Sequence, residues 1–160
     1  MTPAFWSRER KALIACAAAS GLATLCVGLF QIDKLDRLPC PFFGSGCESV
    51  ALASFARILG MADGLLAAGY CGLLCALAQA RNRQWAAALL GLAFLWVLLN
   101  IVDLNAMQKF GAWCFWRVLT AVLSAPIAAL SFRCAKQVQQ RSAASGAAGP
   151  PPAAPTGQSV

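Results

Sequence analysis

The stretch LPCPFFGSGCESV, residues 38–50, places two cysteines on a short loop between two apolar segments. Six residues separate Cys40 from Cys47. Two prolines stiffen the first arm of the loop, and two glycines allow the tight backbone path that a small disulfide ring requires. Such a ring is either structural or redox-active. The sequence around it has to distinguish these two possibilities.

Four long apolar runs surround the loop. The chain has 160 residues, of which 59% are hydrophobic and 12% charged. Each run reaches or approaches the roughly 17–25 residues that a membrane-spanning helix needs. We therefore predict an all-α membrane protein, a four-transmembrane-helix bundle with an extracytoplasmic cysteine loop. The runs are residues 12–32, 64–80, 85–102, which closes at Asp103-Leu104-Asn105, and 110–132.

Three further segments complete the predicted organisation. Residues 1–11 form a short cytoplasmic leader, and the membrane domain covers residues 12–136. Residues 137–160 are rich in alanine and proline and cannot bury a core, so we predict a disordered cytoplasmic tail. The apolar pattern from Glu48 to about Leu59 predicts a short amphipathic helix at the membrane interface, which Gly60 ends.

The positive charge indicates the orientation in the membrane. The net charge is +7. The leader, the turn with Arg81 and Arg83, and the segment after the fourth run are basic, whereas the other two loops are balanced in charge. Because basic loops stay in the cytoplasm, we predict cytoplasmic termini and a cysteine loop outside, where disulfides persist. We place this multi-pass protein in the inner (cytoplasmic) membrane. The basic residues form no aromatic-interleaved patch, so we expect no nucleic acid partner.

A third cysteine is predicted to meet the loop. Cys114 lies near the start of the fourth run, and the topology puts that helix end on the outer side of the membrane. The chain has no histidine and no C-x-x-C pair, so we expect no metal site. We interpret the remaining cysteines as apolar packing residues. They are Cys16, Cys26, Cys71, Cys75 and Cys134.

This arrangement resembles the vitamin K epoxide reductase family, whose bacterial members are four-helix, quinone-linked generators of protein disulfides. The resemblance covers roughly residues 10–135. It rests on Cys40 with Cys47-Glu48-Ser49-Val50, on Gly60, on the run from Leu65-Leu66 to Tyr70, and on Gly111-Ala112-Trp113-Cys114 at the head of the last helix.

The resemblance implies an activity and its partners. A reduced thioredoxin-like protein would pass electrons to the loop disulfide through Cys40, and Cys47 would exchange with Cys114. A quinone of the ubiquinone or menaquinone type would then accept the electrons. No α/β segment is long enough to be a fused partner domain, so the resemblance implies a separate extracytoplasmic thiol protein. The family's C-x-x-C motif reads Cys114-Phe115-Trp116-Arg117 here, with arginine replacing the quinone-facing thiol.

Three cysteines still permit a catalytic cycle. A helix N-terminus and Arg117 one turn away both favour a Cys114 thiolate. We predict that this thiolate attacks the quinone, that Cys47 resolves the adduct, and that Cys40 restores the loop disulfide. Arg117 would stabilise the negative charge that develops on the quinone oxygen. Trp113 and Trp116 are candidate quinone contacts as well as members of an interfacial aromatic belt.

Two alternatives remain open from the sequence. The first concerns Arg117, which can also form an ion pair with Asp63 or Asp103, because charges within membranes usually find partners. The second concerns the function. A catalytically degenerate relative would keep the bundle and a structural Cys40–Cys47 disulfide, and would act as a membrane binding or assembly subunit.

Overall fold

The computed structural model describes residues 3–42, 45–58, 61–79 and 83–147. Within these ranges almost all regular structure is helical. The two exceptions are very short strands, β1 (Arg57–Ile58) and β2 (Met61–Ala62). They pair antiparallel, with Arg57 opposite Ala62 and Ile58 opposite Met61. In chain order the elements are α1 (Pro3–Gln31), α2 (Gly46–Ala51), a 3-10 helix (Ser54–Ala56), β1 (Arg57–Ile58), β2 (Met61–Ala62), α3 (Asp63–Gln79), α4 (Arg83–Phe110) and α5 (Phe115–Ala147).

Three of the described helices are long and apolar enough to cross a membrane, which indicates a membrane protein. The apolar segments are Arg8–Gln31 in α1, Gln84–Phe110 in α4 and Phe115–Gln140 in α5. The second predicted run corresponds to α3, a shorter apolar helix of 17 residues. The predicted all-α fold class is confirmed.

The four longest helices pack around a shared interior. α1 contacts α3 and α5, and α4 contacts α5 and α3. The buried side chains between them form what we call the helix core. Its members are Leu13, Ala17, Cys71, Leu74, Leu77, Ala78, Leu89, Ala93, Trp96, Ile127 and Cys134.

Two glycines let α1 and α3 approach each other closely. A Cβ atom on Gly64 would lie 2.8 Å from the Cα of Gly28 and 2.8 Å from the carbonyl oxygen of Thr24. No real side chain tolerates such contacts with backbone atoms, so glycine is required at this crossing. The crossing fixes the start of α3 beside the end of α1.

The break between the last two spans lies later than the sequence predicts. We expected the third span to close at Asp103-Leu104-Asn105, whereas α4 continues to Phe110. Asp103 does not end the helix, because its charge is paired within the protein. The helix ends at Gly111, whose φ of 75° is the left-handed conformation that glycine adopts at helix C-termini.

The predicted interfacial helix is shorter than expected. We predicted a helix from Glu48 to about Leu59, but α2 ends at Ala51. The side-chain amide of Gln31 donates hydrogen bonds to the carbonyl oxygens of Ala51 and Ala56, each at 3.1 Å. These carbonyl oxygens therefore find a hydrogen-bond donor in Gln31 instead of in a further turn of helix. Leu59 and Gly60 lie outside the described residues.

The helices extend into both outermost predicted segments. α1 begins at Pro3 and includes most of the leader, for which we predicted no conformation, and proline is common in the first helical turn. α5 continues to Ala147, so the predicted disorder is wrong for residues 137–147, where glutamine and alanine favour a helix. Residues 148–160 lie outside the described residues.

Candidate redox site

Cys40 and Cys47 form a disulfide with their Cα atoms 6.0 Å apart. The two sulfur-bearing residues differ in exposure. Cys40 is half-buried, whereas Cys47 is completely buried below the loop. Cys40 is therefore the more accessible of the two cysteines.

Cys114 belongs to the same buried cluster as Cys47, which we call the loop core. It lies in the turn between α4 and α5, and its carbonyl oxygen accepts the first hydrogen bond of α5, from the N–H of Val118 at 3.0 Å. Its side chain is completely buried. The loop core consists of Val27, Leu38, Cys47, Val50, Ala51, Met107 and Cys114.

A backbone hydrogen bond connects the two parts of the site. The N–H of Phe115, the residue after Cys114, donates to the Sγ atom of Cys47 at 3.2 Å. An N–H at a helix N-terminus stabilises negative charge on the atom that it contacts. This N–H therefore favours negative charge on the sulfur of Cys47.

Burial raises the pKa of the Cys114 thiol. The backbone N–H groups of Arg117 and Trp116 and the Arg117 guanidinium oppose this effect, while the Asp103 carboxylate adds to it. We predicted from the sequence that the helix N-terminus and Arg117 both favour the Cys114 thiolate, and both effects do lower its pKa. The loss of water outweighs them, so the pKa is raised overall.

Two aromatic side chains hold the loop against α5. The indole N–H of Trp116 donates to the carbonyl oxygen of Pro39 at 2.8 Å. The rings of Phe42 and Phe115 lie 5.5 Å apart between centroids. The first residues of α5 therefore follow Cys114 directly and also make the contacts that position the cysteine loop.

Arg117 forms a partly buried ion cluster with two carboxylates from different helices. One guanidinium nitrogen contacts Asp63 at the start of α3, and the other contacts Asp103 in α4. The predicted ion pair is confirmed, and it involves both candidate partners. Asp63 also accepts a hydrogen bond at 2.7 Å from the side-chain amide of Gln31. The side-chain oxygen Oε1 of Gln31 in turn accepts a hydrogen bond from the N–H of Gly64 at 3.1 Å.

A cavity of about 310 Å³ opens beside this ion cluster. Its size is at the lower end of small-molecule sites. One side is formed by Tyr70 and Trp96, whose stacked rings lie 5.2 Å apart. Most of the other side chains are apolar. The lining residues are Thr24, Val27, Asp63, Gly64, Leu66, Ala67, Tyr70, Trp96, Leu99, Asn100, Val102, Asp103, Ala106, Trp116, Arg117 and Thr120.

Two of the lining residues carry buried N–H groups that have no hydrogen-bond partner in the described part of the chain. They are the indole N–H of Trp96 and the Nε–H of Arg117. Buried donors normally find acceptors, because an unpaired one costs about 1–3 kcal/mol. A flat, mostly apolar ring that carries carbonyl oxygens suits this set of walls and donors. The residues present therefore fit a quinone head group.

The predicted site residues divide into three groups. Cys40, Cys47 and Cys114 come together in or against the loop core. Arg117 and Trp116 line the cavity, but Trp113 does not and is 41% exposed. Cys114 is not a lining residue either. The direct attack that we predicted for its thiol therefore requires the turn before α5 to move.

Sequence reasoning missed four polar or aromatic residues of the site. Gln31 organises the start of α3, and Trp96 lines the cavity. Asn100 accepts a hydrogen bond from the Thr120 hydroxyl at 3.1 Å across α4 and α5. An asparagine within an uncharged membrane run is a signal that could have been followed, since such polar residues usually face the protein interior.

No protein-family model, curated protein or solved structure matches the chain. The resemblance to the vitamin K epoxide reductase family therefore stays a prediction that depends on the residues quoted above.

Proposed function

We propose that the chain is a membrane thiol–quinone oxidoreductase that resembles the vitamin K epoxide reductase family and supports disulfide formation. The observation that carries the proposal is the hydrogen bond from Phe115 N–H to Cys47 Sγ. It joins the loop disulfide to the residue beside Cys114, and a cavity suited to a quinone lies one helical turn further along α5.

The proposed membrane arrangement has four spans. α3 has 17 residues and so is about 26 Å long, close to the roughly 30 Å of hydrocarbon that a span must cross. With four spans and the basic residues inside, both termini lie in the cytoplasm and the Cys40–Cys47 loop lies outside the inner (cytoplasmic) membrane.

The first half of the cycle oxidises the partner. A thiolate of a reduced thioredoxin-like protein attacks Cys40 Sγ, the Cys40–Cys47 bond breaks, and Cys47 leaves as a thiolate beside the Phe115 N–H. The partner's second thiol then attacks the mixed disulfide. The partner departs oxidised, and the loop keeps two electrons and two protons as two thiols.

The second half passes these electrons inward. Cys47 and Cys114 lose two electrons and two protons and form a disulfide. Cys40 then attacks Cys47 Sγ, which restores the loop disulfide and releases the Cys114 thiol. A quinone bound in the cavity supplies the oxidising power by accepting the two electrons and two protons. Arg117 orients the carbonyl oxygen and stabilises the charge on it.

The test measures quinone reduction by a dithiol protein in purified Cys114→Ser protein. Turnover should fall to the rate of the uncatalysed reaction, because Cys47 then has no partner for the second disulfide. The matched control is Cys134→Ser, which removes a buried cysteine of the helix core and should leave turnover unchanged. Full turnover in Cys114→Ser would exclude the proposed cycle.

A second candidate function follows from the burial of Cys114. A thiol with no exposed surface and a raised pKa suits a packing residue of a non-catalytic binding or assembly subunit whose loop disulfide is structural. Thiol trapping in membranes distinguishes the two. In the oxidoreductase a reduced dithiol partner opens the Cys40–Cys47 bond, whereas in the structural protein the bond stays closed.

A further inference from the structure

Trp116 lies against both the cysteine loop and the cavity. Its indole N–H donates a hydrogen bond at 2.8 Å to the carbonyl oxygen of Pro39, the residue before Cys40. The same side chain lines the cavity and packs against the loop core. A ring in this position cannot turn toward one of these neighbours without changing its contact with the other. Trp116 is therefore a wall that the loop and the cavity share.

Gln31 makes a second connection, on the other side of the disulfide. Its side-chain amide donates hydrogen bonds to the carbonyl oxygens of Ala51 and Ala56, which follow Cys47 in the chain. It also donates to the side chain of Asp63, which lines the cavity. Both arms of the disulfide loop are thus held by side chains that line the cavity or contact a residue that does.

The disulfide becomes fully accessible only when the loop opens. Cys47 is completely buried and Cys40 is half-buried. Thiol–disulfide exchange depends on access to the sulfur that is attacked, and local opening of a surface segment supplies that access. Lifting the first arm of the loop separates Pro39 from α5 and breaks the Trp116 hydrogen bond. This bond therefore favours the closed loop.

We propose that Trp116 is a positioning residue that couples occupancy of the cavity to the reactivity of the loop disulfide. This inference rests on the proposed function, which supplies the flat ring in the cavity. A bound ring packs against the indole and holds it where its N–H meets the carbonyl oxygen of Pro39. The loop then opens less often. Such coupling is reciprocal, so an open loop binds the ring more weakly.

The coupling sets the order in which the two substrates react. The reduced partner protein opens the disulfide most readily while no ring occupies the cavity. A bound quinone then shields Cys40 from further thiols. The partner and the quinone therefore use the protein in turn.

The test measures the rate at which dithiothreitol reduces the Cys40–Cys47 bond, followed by alkylation and peptide mass spectrometry. The probe is heptyl-hydroxyquinoline N-oxide, a flat quinone mimic that the dithiol leaves unchanged. At saturation it should slow reduction of the wild-type loop roughly 2- to 5-fold, the size of effect expected of one partly exposed hydrogen bond. Trp116→Phe keeps an aromatic ring but has no N–H. Its loop should be reduced faster, and the probe should no longer slow the reaction.

Trp85→Phe is the matched control. Trp85 is 52% exposed and lies near the start of α4, far along the helix from the loop, so this variant should behave like the wild type with and without the probe. Calorimetry on the wild-type chain measures binding of the probe. The proposal is overturned if the probe does not bind, if it leaves the wild-type rate unchanged or raises it, or if it slows Trp116→Phe as much as the wild type.

Failure of the proposed function would look different from failure of the coupling. In the first case the probe slows reduction of the wild-type loop, but Cys114→Ser keeps full turnover of dithiol and quinone. In the second case Cys114→Ser loses turnover, but the probe binds without changing the rate at which the loop is reduced.

Discussion

At the scale of single residues, the character of Cys114 depends on burial rather than on its charged neighbours. Arg117 and the first N–H groups of α5 favour the thiolate, yet the thiol has no exposed surface and its pKa is raised. Burial in an apolar cluster removes the water that would solvate the anion. Burial therefore favours the thiol form of Cys114, and the proposed cycle requires the loop core to open before its thiolate forms.

The pH dependence of alkylation tests this assignment. Because the pKa of Cys114 is raised, its thiolate fraction stays small at neutral pH and increases only above the ordinary thiol range. We expect the alkylation rate of Cys114, followed by peptide mass spectrometry, to rise about tenfold per pH unit through that range. The same peptide in the denatured chain is the control. A midpoint at or below that of the denatured chain would contradict the assignment.

Gln31 shows what a single polar side chain contributes at the end of a span. Its amide contacts the carbonyl oxygens of Ala51 and Ala56, the Asp63 carboxylate and the N–H of Gly64. A buried backbone group that loses its hydrogen-bond partner costs about 1–3 kcal/mol. This residue joins the cysteine loop, the ion cluster and two helices. Nothing in its sequence position predicts that role, since it is one uncharged polar residue near the end of the first apolar run.

At the scale of elements, the crossing of α1 and α3 depends on the absence of side chains at two positions. Gly64→Ala would place a Cβ atom 2.8 Å from the Cα of Gly28 and force the helices apart. We expect a loss of about 1–3 kcal/mol in unfolding free energy. Thermal unfolding in detergent, followed by circular dichroism, measures it.

Gly72→Ala is the matched control for the crossing. Nothing lies within 4 Å of a Cβ atom at Gly72 in the same helix. This substitution should leave stability unchanged or raise it by up to about 1 kcal/mol, because alanine is the better helix former. Equal effects of the two substitutions would show that close packing of α1 on α3 does not hold the bundle together.

Hydrophobic runs predicted the helices better than charges predicted their ends. The second run, residues 64–80, differs from α3 by one residue at each end. The end of α4 was misplaced because Asp103 looks like a polar exit from the membrane, although its charge is paired with Arg117. A local sequence pattern cannot show that two charged residues on different helices form an ion pair. Gly111, by contrast, carried a local signal for the end of α4.

At the scale of the whole molecule, one end of the bundle holds every component of the proposed chemistry. The disulfide loop, the turn with Cys114 and the ion cluster all lie where α1 and α4 end and α3 and α5 begin. The alternation of spans predicted that Cys114 would meet the loop. It could not predict the cavity, because a cavity depends on how side chains such as Trp96 and Tyr70 pack across helices.

The most direct test of the account is to trap the bond between Cys47 and Cys114. In a Cys40→Ser variant the thiol that resolves this bond is missing, so the disulfide should accumulate when the protein is oxidised with a ubiquinone analogue. Peptide mapping without reductant detects it, and Cys40→Ser combined with Cys114→Ser is the control. The account predicts a Cys47–Cys114 cross-linked peptide in the first variant only. If Cys47 instead remains a free thiol in the folded, oxidised protein, the two cysteines do not exchange and the redox proposal is contradicted.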